Sequence, residues 1–196
     1  MILRHSLRIL ILILIGSILS GAPSWAKSPI ELNAEFESAY LRSELEFLED
    51  PSGLMELEQV LSSENKRRFQ PNGENVFNQG NTNSVYWLRY SVVNPTANSI
   101  HLVFSIDNIY GSLELYGLNT TGESFLVFKK SAQQLVEEGA TTWDLQNTSI
   151  SVDADQQTEY YLRIEPNLIL RAEISLWEPA ALRQHFTDKY NLLSIS

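Results

Sequence analysis

The chain has 196 residues, with 14 lysines and arginines against 24 aspartates and glutamates, a formal charge of −10, and no cysteine. That acidic balance argues against nucleic acid as a partner, because phosphate backbones need a basic surface, and against anionic lipid headgroups for the same reason. Without cysteine, neither a disulfide nor a lipid on a leader cysteine is available, so the fold has to hold by its core alone.

At the start, Arg4, His5 and Arg8 precede an apolar run from Ile9 to Ile15 that continues loosely through Leu19 to Ala22-Pro23-Ser24-Trp25-Ala26. The pattern predicts a signal peptide over residues 1–26, cleaved after Ala26, with small Ser24 and Ala26 three and one residues before the cut. The competing reading is an uncleaved anchor. That needs about 20 apolar residues, and Gly16, Ser17, Ser20 and Gly21 weaken the run. The expected location is therefore outside the cytoplasm, in the periplasm. The remaining chain is long enough for one domain with an adequate core.

Residues 27–43 form a lead-in with no clean period, in which Ala34, Phe36, Ala39 and Tyr40 allow a short helix or a poorly ordered stretch. Leu45-Glu46-Phe47-Leu48-Glu49 alternates as a strand does, and Asp50-Pro51-Ser52-Gly53 supplies turn chemistry. Leu54, Leu57, Val60 and Leu61 fall at helical spacing, which predicts a short N-terminal helix. From Asn65 to Ser84 the residues are mostly polar, and this predicts a long loop anchored in the core by Phe69 and Phe77.

Val85 to Val93 is rich in aromatic and β-branched residues, stops at Asn94-Pro95-Thr96-Ala97-Asn98, and resumes from Ile100 to Ile106. This predicts two antiparallel strands joined by a turn. Ile100, Leu102, Phe104 and Ile106 share one face, and His101, Ser105 and Asp107 share the other. Further strands are expected at Leu113–Leu118, Phe125–Phe128, Thr142–Leu145, Ser149–Val152, Glu159–Glu165 and Arg171–Trp177. Pro179 opens a short helix after the last of them. Many short strands and little helix predict an all-β fold, an antiparallel β-sandwich or jelly roll.

Taken in order, the leader, the Leu45–Gly53 strand and turn, Val85-Tyr86-Trp87-Leu88-Arg89-Tyr90 followed by Asn94, and Tyr160-Tyr161-Leu162-Arg163-Ile164 resemble one family. It is the periplasmic domain of bacterial seven-transmembrane receptors with diverse intracellular signalling modules (7TM-DISM receptors), and the similarity runs from about Leu45 to Trp177. The resemblance implies a jelly roll like that of carbohydrate-binding modules, spanning residues 44–178, that receives an extracellular signal. It also implies that residues 179–196 form a short tail where such receptors enter the membrane. Two departures are visible. No seven-helix or output region lies within the sequence, which suits a receptor fragment or a free periplasmic module, and the segment from Ser131 to Leu145 lacks an arginine expected in many relatives.

Trp87 and Arg89 are two apart on a strand and so share a face, where an indole can stack on a sugar ring and a guanidinium can hold hydroxyls or a carboxylate. Arg163 stands in the same relation to Tyr161. These three are the candidate ligand-binding residues. The alternative is a core tryptophan with Arg89 paired to an acid across the sheet. Asn94 and Pro95 are read as a structural turn, with the Asn94 side chain bonding nearby backbone. Trp143, Trp177 and Tyr116 are further aromatics able to line a concave sheet. No metal-ligand motif, cofactor signature or nucleophile–base arrangement is visible, so no cofactor and no enzymatic activity are expected. The expected function is extracytoplasmic sensing of a small molecule such as a carbohydrate, passed to a membrane-embedded partner. The alternative is a non-sensing interaction or adhesin module; a secreted glycosidase is a distant third.

Overall fold

Alternation along the Val85 run decides which side of the molecule is core. In the computed structural model, which describes residues 27–107, 111–131 and 146–193, this run forms β6 (Val85–Asn94). Its Tyr86, Leu88, Tyr90 and Val92 face a second sheet, where they meet Leu102, Phe104, Ile106, Ile174 and Leu176 in one cluster. The rings of Tyr90 and Phe104 lie 6.5 Å apart across the interior. Burying two apolar strand faces against each other is what a sandwich does, and the all-β expectation holds.

Before β6 come β1 (Ile30–Glu31), β2 (Ser38–Leu41), β3 (Glu46–Asp50), the single helical turns α1 (Leu57–Val60) and α2 (Ser63–Lys66), β4 (Gln70–Pro71) and β5 (Phe77–Asn81). After it come β7 (Ile100–Asp107), β8 (Gly111–Leu118), β9 (Ser124–Ser131), β10 (Asn147–Val152), β11 (Gln156–Pro166), β12 (Ile169–Trp177) and the helix α3 (Pro179–Leu193). One sheet runs β4-β3-β6-β11-β8-β9, with β1 lying parallel to β6 beside Val92 and Val93. The other runs β10-β7-β12-β2, with β5 paired to the first half of β12, from Ile169 to Ala172.

Several expectations need correction. Residues 27–43 are neither helical nor unstructured: they hold β1 and β2, because Ile30 and Ala39 pack against the core while the residues between them do not follow one period. The stretch from Asn65 to Ser84 is not a continuous loop, since β4 pairs with β3 and β5 with β12. Phe69 and Phe77 are buried in it as anticipated. β6 and β7 do not pair as a hairpin. They belong to different sheets, and two apolar faces are satisfied as well by opposing each other as by lying side by side, so periodicity alone does not separate the cases. The helical spacing around Leu57 yields only α1 and α2, and among the described residues the one long helix is the C-terminal α3 rather than an N-terminal one. The strand expected at Thr142–Leu145, the leader, Trp143 and most of the arginine-lacking segment lie outside the described residues.

Candidate functional site

Trp87, Arg89 and Arg163 do share one face, the outer face of the seven-stranded sheet, but α1, α2 and the chain leading into β4 cover it. Trp87 is 1% exposed and belongs to a second cluster with Leu48, Leu57, Val60, Phe69, Val85 and Tyr161. Its ring stacks on Tyr116 at 6.0 Å. Arg89 lies opposite Glu46 on β3 and donates through Nε to Glu46 Oε2 at 2.8 Å, while its guanidinium rests on the Phe69 ring, 4.4 Å from the centroid. Across β6 and β11, Trp87 pairs with Arg163, and Arg163 pairs in turn with Glu114 of β8. The Arg163 guanidinium donates to Glu165 Oε2 at 3.0 Å and to the Gly53 carbonyl at 3.1 Å. The three residues thus hold the covering segment onto the sheet. In this conformation the indole is sealed from solvent and both guanidinium groups are engaged.

The two turns flagged in the sequence are similarly built. Asp50, fully buried, accepts from the Ser52 amide and hydroxyl and from the Met55 amide. Burial pushes its carboxyl upward, but these bonds outweigh it and leave the group below the ordinary carboxylate range. Gly53 supplies the positive φ of +68° that closes the turn. Asn94 donates through Nδ2 to the carbonyls of Asn98, Val152 and Asp153, and its Oδ1 accepts from the Thr96 amide and hydroxyl. It therefore clamps the turn at Pro95 to the turn after β10.

An open site exists on the opposite side of the molecule. The outer face of the five-stranded sheet and the first turns of α3 enclose a groove of about 270 Å³ lined by Tyr40, Ser105, Asp107, Glu173, Ser175, Trp177 and residues of α3 that include Leu182 and His185. Glu178 caps α3 by accepting from the Ala180 and Ala181 amides, and its own amide donates to the Glu37 carbonyl. Leu182 is buried, and the His185 ring lies 4.8 Å from that of Trp177. Trp177 donates through Nε1 to Ser175 Oγ at 2.8 Å, which fixes the indole. Tyr40 stands edge-on to that indole at 5.7 Å and is 42% exposed. Asp107 on β7 is directly opposite Glu173 on β12. Arg42 neutralises Glu173 at 2.9 Å. Burial, and then the charges of Glu173 and Asp107, raise the Tyr40 hydroxyl above its ordinary pKa. The arrangement offers a solvent-facing aromatic platform beside hydrogen-bonding oxygens, the chemistry of a small-molecule site.

The outward set His101, Ser105 and Asp107 was readable from alternation. What brings Asp107 to Glu173, and Tyr40 to Trp177, is the pairing of β7 and β2 with β12, and that pairing has no local signal. Among the described residues, no group of three or more His, Asp or Glu is placed to hold a metal ion. No helix among them is long and apolar enough to cross a membrane.

Comparison with known proteins adds a family. Residues 42–178 match the family model described as 7TMR-DISM extracellular 2. No curated protein sequence matches the chain. Among solved structures, a GH31 alpha-xylosidase from Xanthomonas citri is similar at 12% identity and a TM-score of 0.28. The match covers 72% of this chain but only 16% of that enzyme.

Proposed function

The chain belongs to the 7TMR-DISM extracellular 2 family and so is an extracellular receptor sensing domain, and from that premise we propose that it detects a small polyhydroxylated molecule, a carbohydrate, in the groove between the five-stranded sheet and α3. The observation that carries this is the half-exposed Tyr40 ring set against Trp177, with Ser105 and Asp107 beside it. A sugar ring presents an apolar C–H face and a rim of hydroxyls, which suits such a platform. Because α3 forms one wall of the groove and leads out of the domain, ligand contacts with His185 bias the seat of that helix, giving the signal a route toward a membrane-embedded partner. We place the leader before Lys27, the sensing domain at residues 44–178, and α3 in the tail, and we take the chain to bind rather than transform its ligand.

A thermal-shift screen of the purified chain against mono- and oligosaccharides tests the reading. A ligand at 100 times its dissociation constant adds about 2.7 kcal/mol, which raises the midpoint by roughly 5–10 °C for a domain of this size. Tyr40→Ala is expected to fold and lose the shift. Absence of any shift across the panel sinks the carbohydrate reading, and release of reducing sugar during incubation replaces the sensor with a glycosidase. One feature favours a plain interaction module instead: Phe125 and Leu126 are exposed on β9, the last strand of its sheet among the described residues. Concentration-dependent self-association abolished by Phe125→Ser with Leu126→Ser is the result that would advance it.

A further inference from the structure

We propose that the ligand of the groove carries a protonated amine and that Asp107 is its anchor; this rests on the groove being the ligand site. Asp107 and Glu173 are direct cross-strand partners on β7 and β12. Like charges in that position destabilise a sheet, and a sequence keeps such a conflict where a function needs it. Half of the conflict is resolved internally, because the Arg42 guanidinium binds Glu173 at 2.9 Å and lies 5.7 Å from the Tyr40 ring centroid. The Tyr40 ring thus already accepts one cation. Asp107 is exposed and has no basic partner among the described residues.

A second observation points to a ligand. Ser105, two residues before Asp107 on the same face, is 7% exposed, lines the groove, and makes no side-chain hydrogen bond among the described residues. Its hydroxyl is not sealed from solvent and is therefore open to a ligand in the groove. An ammonium group has three donors, and Asp107, Ser105 and the Tyr40 ring supply two oxygen acceptors and a cation–π face for it. A divalent metal ion fits less well: it prefers six or more oxygen ligands, whereas one of the two carboxylates is held by Arg42 and two walls are aromatic. Glucosamine and putrescine are therefore preferred over glucose and calcium.

The test is calorimetric titration and thermal shift of the purified chain with glucosamine, putrescine, glucose and calcium chloride, for the natural sequence, Asp107→Asn and Tyr40→Ala. The expected result is binding of at least one amine, tighter than glucose, and weakened about tenfold or more by Asp107→Asn, as loss of a charge-assisted bond implies. Asp107→Asn without ligand should leave the midpoint unchanged or raise it by about 1–2 °C, since a like-charge pair is removed. Glucose binding as tightly as the amines, with Tyr40→Ala losing both, overturns the amine and leaves the groove standing. Binding indifferent to both substitutions overturns the groove as well. A calcium response removed by Asp107→Asn, or no amine binding at all, also overturns the proposal.

Discussion

The Arg89 side chain donates through Nε to Glu46 Oε2 at 2.8 Å, and both side chains are 9% exposed. A buried pair of this kind is costly to break because the surviving charge is left in a poor solvent. Arg89→Ala is expected to destabilise the fold by about 3–5 kcal/mol, and Arg89→Met combined with Glu46→Leu to recover most of that loss. Urea unfolding with a constant m value is the measurement. A single-substitution cost below about 1 kcal/mol is incompatible with the pair holding β3 to β6.

Asn94 satisfies three carbonyls and two donors from one buried amide. With each such bond contributing on the order of 1 kcal/mol and the orphaned groups adding a penalty, Asn94→Ala should cost about 2–4 kcal/mol. Asn94→Asp should not rescue it, because it removes the donations to Asn98, Val152 and Asp153 and buries a charge. Equal stability of the natural and Asp forms in denaturant titration would contradict this account.

Glycine is required at Gly111 for a reason that does not apply at Gly117. A Cβ at Gly111 lands 2.0 Å from the Glu165 carbonyl oxygen, which belongs to the paired backbone of β11. At Gly117 the atoms nearest the added one all belong to the Phe125 ring, which is half-exposed and can rotate away. Gly111→Ala is therefore expected to lower the thermal midpoint far more than Gly117→Ala, and parity between the two would show that β8 and β11 separate freely at that end.

Acid sensitivity should trace to Asp50 and Glu114. Burial raises both carboxyls, yet hydrogen bonds to Asp50, and the Tyr116 hydroxyl with Lys129 and Arg163 around Glu114, bring both below their ordinary values. A carboxyl depressed in the folded state contributes stability that is fully present above its unfolded pKa, about 4 for these groups, and is lost as pH falls through the folded value. Stability should thus decline below about pH 4. Asp50→Asn should lower stability at pH 7 and flatten the acid slope, read as midpoint against pH between 2 and 7.

How far the sequence was legible depends on the range over which each feature is decided. The faces of β6, β7 and β12 follow from alternation, and the turns at Asp50 and Asn94 follow from side chains that bond their own neighbourhood. Trp87 and Arg89 were correctly placed on one face, but alternation does not say whether a face is wet. That was decided by Leu57, Val60 and Phe69, whose segment folds back over the outer side of the sheet. Tyr40 was unreadable because β2 is only four residues long and is fixed by pairing with β12, some 135 residues later in the chain. The same distance hid the groove.

That pairing also orders assembly in time. β12 is where β2 and β5 find their sheet partner, so these two early strands stay unpaired until β12, far along the chain, has been made. Contacts so distant along the chain carry a large loop-closure cost and slow the search for the native topology. Tyr40, Asp107, Glu173 and Trp177 come together only when that search ends. A nascent or partly folded chain therefore has no groove, which takes shape only once β2 and β12 have met.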